Sequence, residues 1–166
     1  MKKDGGAFLL LALMIFGLAA LRAKQMPNQN QKRSDGQLAT LVPGFRQAVA
    51  RVIAAMRAAG FDAVVREGLR SAARAQELAA KGRGIVNSLH KLGLAADIIS
   101  ASKGWNASPE FWQALRSFAE KEKLTSGASF SKPDVAHVQA ITVAEQSAAR
   151  GWSAVERERR MRERYG

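Results

Sequence analysis

Ser88-Leu89-His90-Lys91-Leu92-Gly93-Leu94-Ala95-Ala96-Asp97-Ile98-Ile99 runs from a polar loop into an apolar strand and carries one of only two histidines in the chain. Gly93 suits a turn between the two parts. Leu94 to Ile99 is too short and too rich in apolar residues for a surface helix, so it reads as a buried strand. Asp97 interrupts it. In a strand Ala96 and Ile98 face one side and Asp97 the other. A carboxylate there is costly to bury unless it is paired or binds a metal. A salt bridge to one of the many arginines is the alternative to a metal-binding role for Asp97.

The other histidine closes Asp134-Val135-Ala136-His137-Val138-Gln139. The two segments together offer two imidazoles and a carboxylate for one cation, with a second carboxylate left as a base. Zinc hydrolases need that inventory: three protein ligands, an open position for water and a proton acceptor. Asp134 also reads as an ordinary turn residue after Pro133, and spacing alone does not separate the two roles.

Outward from these segments the chain alternates helices and short strands. Leu38, Leu41, Val42, Phe45, Val49, Val52, Ile53 and Met56 recur at helical spacing, with Pro43 near the start of the main helix and Gly60 as its stop. Phe61 to Arg66 reads as a strand, and Ser71 caps a helix from Ala72 to about Ala80. Ser108-Pro109-Glu110 opens another helix, whose apolar face is Phe111, Trp112, Leu115, Phe118 and Ala119. Val135 to Ile141 is the last strand, and Thr142 caps a final helical stretch. The predicted fold is α+β: a small, mainly antiparallel sheet with helices packed on it and the cation site at the sheet.

Composition narrows the chemistry. The 166 residues suit one compact domain. Without cysteine, disulfides and thiolate zinc sites are excluded. Lys and Arg number 26 against 14 Asp and Glu, a net charge of +12. That charge favours a polyanionic partner: nucleic acid, an anionic membrane or a cell-wall polymer. No zinc finger, RNA-binding aromatic motif or glycine-rich phosphate loop is present, so nucleic acid is not expected.

Ala7 to Leu21 is apolar throughout apart from Gly17, with Lys2 and Lys3 before it and Arg22 and Lys24 after. Its length lies on the border between a signal-peptide core, roughly 7–15 residues, and a spanning helix, roughly 17–25 residues. Residues 1–24 are expected to be a signal peptide or signal-anchor that delivers the domain to the periplasm or cell wall. Residues 25–36 read as a flexible tether, 37–142 as the catalytic domain, and 143–166 as a charged helical tail. Oligomeric state is left open.

Gly68-Leu69-Arg70-Ser71, Ser88 to Asp97, and Asp134-Val135-Ala136-His137 occur in the order of three motifs: G-x-R-S, S-x-H-x-x-G-x-A-x-D and D/E-x-x-H. Over about residues 37–142 the chain resembles the zinc peptidases of peptidoglycan. These are VanY-type D-alanyl-D-alanine carboxypeptidases, D-alanyl-D-alanine dipeptidases and phage L-alanyl-D-glutamate endopeptidases. The resemblance implies Zn2+ held by His90, Asp97 and His137, with Asp134 as general base and later acid. It implies Arg70 on the substrate carbonyl or developing oxyanion, and Gln76 and Ser88 as substrate or supporting contacts. A helix-start Arg bonded to a carboxylate, and a loop-capping Ser, remain alternatives for Arg70 and Ser88. The chain departs from the pattern in having Leu69 where an aromatic is common, Phe130 and no Trp near the last motif, and one extra residue between Arg70 and Gln76.

The implied substrate is a peptidoglycan stem peptide. An L-alanyl-D-glutamate endopeptidase in phage or prophage lysis is favoured, a membrane-anchored D-alanyl-D-alanine carboxypeptidase comes second, and a non-catalytic wall-binding protein third.

Overall fold

The computed structural model describes residues 29–166, so the expected signal segment 1–24 and the first residues of the tether lie outside the described residues. The described residues form six α-helices and four strands: α1 (Gln29–Ala39), α2 (Pro43–Ala58), β1 (Ala63–Glu67), α3 (Ala72–Ala80), β2 (Ala95–Ser100), α4 (Pro109–Lys121), β3 (Thr125–Ser126), β4 (His137–Gln139), α5 (Gln146–Ala149) and α6 (Ala154–Tyr165). The strands form one sheet in the order β1-β2-β4-β3, every pair antiparallel. The α+β expectation holds. No helix among the described residues is long and apolar enough to cross a membrane.

The helices start where their sequence signals lie. Pro43 occupies the first turn of α2 and Pro109 that of α4, where a missing N–H costs nothing. The Ser71 hydroxyl caps α3 by accepting from the Arg74 N–H. Helix α2 buries Phe45, Val49, Val52, Ile53 and Met56, and α4 buries Phe111, Leu115 and Ala119. These pack with Val65, Ala96, Ile98 and Val138 into the main core. Burying one such large side chain fully is worth about 1.5–3 kcal/mol. Ala96 and Ile98 thus face the core, as strand alternation requires, and Asp97 faces the other way.

Two boundaries differ from expectation. Residues 29–36 are not a tether but most of α1. Its Ser34 is buried and accepts a hydrogen bond from the Val65 N–H at 2.9 Å. This polar segment without apolar periodicity docks on β1 through the Ser34 oxygen, which satisfies a backbone N–H of the strand. Likewise residues 154–165 are not a tail outside the domain. Met161 and Tyr165 are buried in the main core. Helix α6 also lies so close to α2 that a Cβ at Gly44 would stand 2.1 Å from the Met161 carbonyl oxygen. Arg159, Arg160 and Arg162 of α6 pair with Glu156, Glu158 and Glu163 along the same helix.

Tyr165 fastens α6 by donating its hydroxyl to the Ala140 carbonyl. Burial pushes this phenol from 10.0 up to about 12. A raised pKa means the fold favours the neutral phenol, so its contribution is fully present below pH 10 and fades as pH rises through 12. Tyr165→Phe is expected to cost about 1 kcal/mol at neutral pH. It should also remove part of the stability loss between pH 10 and 12, read by urea unfolding of both proteins across that window.

Candidate metal centre

Register brings the candidate ligands together. Asp97 of β2 pairs with His137 of β4, and residues opposite each other in an antiparallel pair share a face. His90 lies in a 3-10 turn, Leu89–Leu92, just before β2. Gly93, at φ +67°, reverses the chain from that turn into the strand. On the other side of β2, a bulge between Val65 and Glu67 inserts one residue, so that Glu67 rather than Arg66 pairs with Asp97.

His90 Nε2 lies 3.2 Å from Asp97 Oδ1, His137 Nδ1 lies 3.3 Å from the same oxygen, and the two nitrogens are 3.3 Å apart. A tetrahedral zinc with bonds of about 2.0–2.1 Å sets its ligand atoms about 3.3–3.4 Å apart. The triangle therefore has the dimensions of one face of a zinc tetrahedron.

The outer nitrogens determine which lone pairs converge. His90 Nδ1 is 2.8 Å from the Gly68 carbonyl oxygen, which can only accept, so the proton sits on Nδ1 and the Nε2 lone pair faces the triangle. Gln139 donates its amide Nε2 to the Ile141 carbonyl at 2.6 Å. Its Oε1 thus faces His137 Nε2 at 3.3 Å and also accepts from Gln146 at 3.2 Å. His137 accordingly carries its proton on Nε2 and presents the Nδ1 lone pair. Three lone-pair atoms converge with no proton between them, an arrangement that a cation stabilises.

His90 and Asp97 are buried. Burial opposes ionisation of Asp97, and protons carried towards it on the His137 and His90 rings would outweigh burial and hold the carboxyl well below the usual carboxylate range; a cation bound by the ring lone pairs takes the place of those protons. Arg70, also buried, bonds Glu67 and lies 3.6 Å from Asp97 Oδ2. The bonded-Arg alternative is therefore realised in part. Even so, Arg70 Nε is buried without an acceptor, the one such side-chain atom among the described residues. A buried unmet donor costs about 1–3 kcal/mol, so a ligand acceptor there would be favoured.

These residues line a cleft of about 1340 Å³. Asp134 lies on its wall, exposed, and its carboxylate makes no hydrogen bond or ion pair among the described residues. Asp134 is also a turn residue: its carbonyl accepts from the His137 N–H at 3.2 Å and its N–H donates to the Gly127 carbonyl at 2.9 Å. A Cβ at Gly127 would stand 2.5 Å from the Asp134 carbonyl oxygen and 2.9 Å from His137 Cβ. This glycine lets the chain pass close beneath the turn and holds Asp134 relative to His137. The same turn takes Val135 and Ala136 out of the strand, which begins at His137 rather than at Val135. Phe130 packs on the His137 ring at 5.7 Å.

Two other expected residues sit differently. Gln76 is exposed on α3 and does not line the cleft, whereas its neighbour Ala75 is buried. The extra residue after Arg70 accounts for this, since one residue rotates a helical side chain by about 100°. Ser88 lines the cleft, but its hydroxyl caps the turn by accepting from the His90 N–H at 3.3 Å. Sequence reasoning did not single out Glu67, the Gly68 carbonyl, Gln139 or Gln146. Gln139 had a readable signal, lying two residues from His137 and so on the same face of β4.

No protein-family model and no curated protein matches the chain. Among solved structures, it is similar to the L-Ala D-Glu endopeptidase ChiX of Serratia marcescens, at 24% sequence identity and a TM-score of 0.54 over 66% of this chain and 86% of that one. A looser likeness is to a mutant of the vancomycin resistance D,D-pentapeptidase VanY in complex with Zn(II), at 17% identity and a TM-score of 0.48 over 65% of this chain and 76% of that one. The chain therefore shares the fold of the Serratia endopeptidase, and on that fold it brings His90, Asp97 and His137 together at the sheet.

Proposed function

We propose that this chain is a zinc-dependent peptidoglycan peptidase that cleaves stem peptides, specifically an L-alanyl-D-glutamate endopeptidase in phage or prophage lysis. The observation that carries the reading is the triangle of His90, Asp97 and His137 atoms at 3.2–3.3 Å, with its lone pairs turned inward. The shared fold supports it.

Bound zinc would supply Lewis acidity, polarising a peptide carbonyl and acidifying water. Asp134 takes the proton from the attacking water and returns it to the leaving amine. Arg70 donates towards the carbonyl oxygen as negative charge develops there, in a pocket where its position is held by Glu67. Arg33, Arg66, Arg83 and Lys132 also line the cleft, and none makes an ion pair or side-chain hydrogen bond among the described residues. A stem peptide cut between L-Ala and D-Glu brings several free carboxylates to these cations. A D-alanyl terminus brings one next to the scissile bond. Residues 1–24 would hold or deliver the domain outside the cytoplasmic membrane, a reading that rests on their apolar run alone.

Digestion of purified muropeptides, followed by mass analysis, tests the proposal. New N-terminal D-Glu ends are expected. Loss of a single D-Ala would instead make the chain a carboxypeptidase, and no product would leave a wall-binding protein. Raising salt from about 0.05 to about 0.5 M should lower kcat/KM several-fold, because charges are screened beyond roughly 10 Å at 0.1 M.

A further inference from the structure

We propose that α1 is a positioning element of the metal centre, acting through Gln37 and Thr40 on the backbone that holds His90. The inference rests on the zinc reading above. The segment Glu67 to Arg70 touches two of the three ligands: the Gly68 carbonyl accepts from His90 Nδ1 at 2.8 Å, and Arg70 lies 3.6 Å from Asp97. Glu67 still pairs with Asp97, but β1 ends there and β2 gives Gly68 to Arg70 no strand partner. Their N–H groups are met elsewhere. Gly68 N–H donates to Gln37 Oε1 at 3.0 Å, and Leu69 N–H to Thr40 Oγ1 at 2.8 Å. The Arg70 N–H returns to the His90 carbonyl at 3.1 Å.

The acceptors at the end of α1 and just after it are themselves held. Thr40 donates its hydroxyl to the Gln37 carbonyl at 2.6 Å, which directs an oxygen lone pair at Leu69. The approach is close enough to require glycine. A Cβ at Gly68 would stand 2.5 Å from the Gln37 carbonyl oxygen and 2.6 Å from Thr40 Oγ1. Just beyond Thr40, the Val42 N–H donates to the Gly93 carbonyl at 3.1 Å, holding the turn on the other side of His90. The end of α1 and the residues after it therefore grip the histidine from both sides. Side-chain torsions transmit small backbone shifts, so a Gly68 carbonyl displaced from His90 Nδ1 frees the ring to rotate away from Asp97. Losing the outer partner of a ligating histidine typically weakens metal binding about 10–100-fold.

The test compares four purified proteins: the parent, Gln37→Met/Thr40→Val, Thr40→Ser and Ser34→Ala. Each is measured for zinc affinity by chelator competition, for the visible spectrum of its Co(II) form, and for urea stability without metal. The double variant is expected to bind zinc about tenfold more weakly. Its Co(II) bands should shift, while Thr40→Ser, which keeps the hydroxyl, stays close to the parent. Ser34→Ala removes an α1 bond to Val65, ahead of the bulge. It should lower metal-free stability and leave zinc affinity alone. Unchanged affinity and spectrum in the double variant would overturn the proposal. So would an equal loss of affinity in Ser34→Ala, which would reduce the effect to general stability. If the double variant does not fold, Thr40→Val alone is read by the same criteria. A parent that binds no zinc would overturn this inference and the zinc reading together, whereas zinc binding indifferent to Gln37 and Thr40 overturns this one only.

Discussion

Asp97→Ala is expected to yield a folded protein that retains no zinc and cleaves muropeptides at least about 10³-fold more slowly. A Lewis-acidic metal is worth several kcal/mol at the transition state, and each ~1.4 kcal/mol is tenfold in rate. Asp97 supplies the one oxygen that both imidazoles face, at 3.2 and 3.3 Å, and the negative charge that offsets a dication. Without it, two neutral rings and a neighbouring Arg70 make a poor cation site. The fold should survive, because Arg70 keeps its bond to Glu67 and alanine is smaller than the aspartate it replaces. Metal analysis and thermal unfolding with and without chelator decide the matter. The parent should lose several degrees on chelation, since a ligand at 100 times its Kd adds roughly 2.7 kcal/mol. The variant should not respond. A variant that still carries one zinc per chain would place the ion elsewhere.

The second large effect is expected at Asp134. Asp134→Asn should keep parental zinc content and lose about 10²–10⁴-fold in kcat, the usual worth of a positioned acid–base group. The two readouts separate because Asp134 stands outside the triangle, on the exposed wall of the cleft, with a carboxylate free of partners among the described residues. The amide keeps the shape of the carboxylate, and the backbone bonds from this position to His137 and Gly127 are unaffected. Loss of zinc along with activity would make Asp134 a structural support for His137, and parental turnover would remove it from the reaction.

The sequence was most legible where local chemistry is strong. Pro43 and Pro109 marked helix starts, Ser71 marked a cap, and the apolar spacing of Phe45 to Met56 marked a buried face. The donor residues were legible too, because two histidines and a stranded aspartate leave few alternatives in a chain without cysteine. Contacts between distant segments were not. Residues 29–36 looked like a tether because the buried contact they make with β1 is a hydrogen bond accepted by Ser34, and a polar acceptor leaves no hydrophobic period. The charged face of α6 hid Met161 and Tyr165, two apolar anchors that suffice against α2. Gln76 was misplaced because one residue of offset on a helix is a large rotation, invisible in a count along the chain.

What the amino-acid sequence determined by itself is therefore the helices α2, α3 and α4, the α+β class and the list of donor residues, since each follows from periodicity, capping or side-chain chemistry within a few positions. Only the tertiary structure decided that His90 offers Nε2 and His137 offers Nδ1, that a bulge sets Glu67 beside Asp97, and that α1 reaches the site. The contacts of His90, Glu67 and α1 depend on strand register and on partners 22 to 31 residues away, which no local pattern encodes; Gln139, two residues from His137, is the local exception.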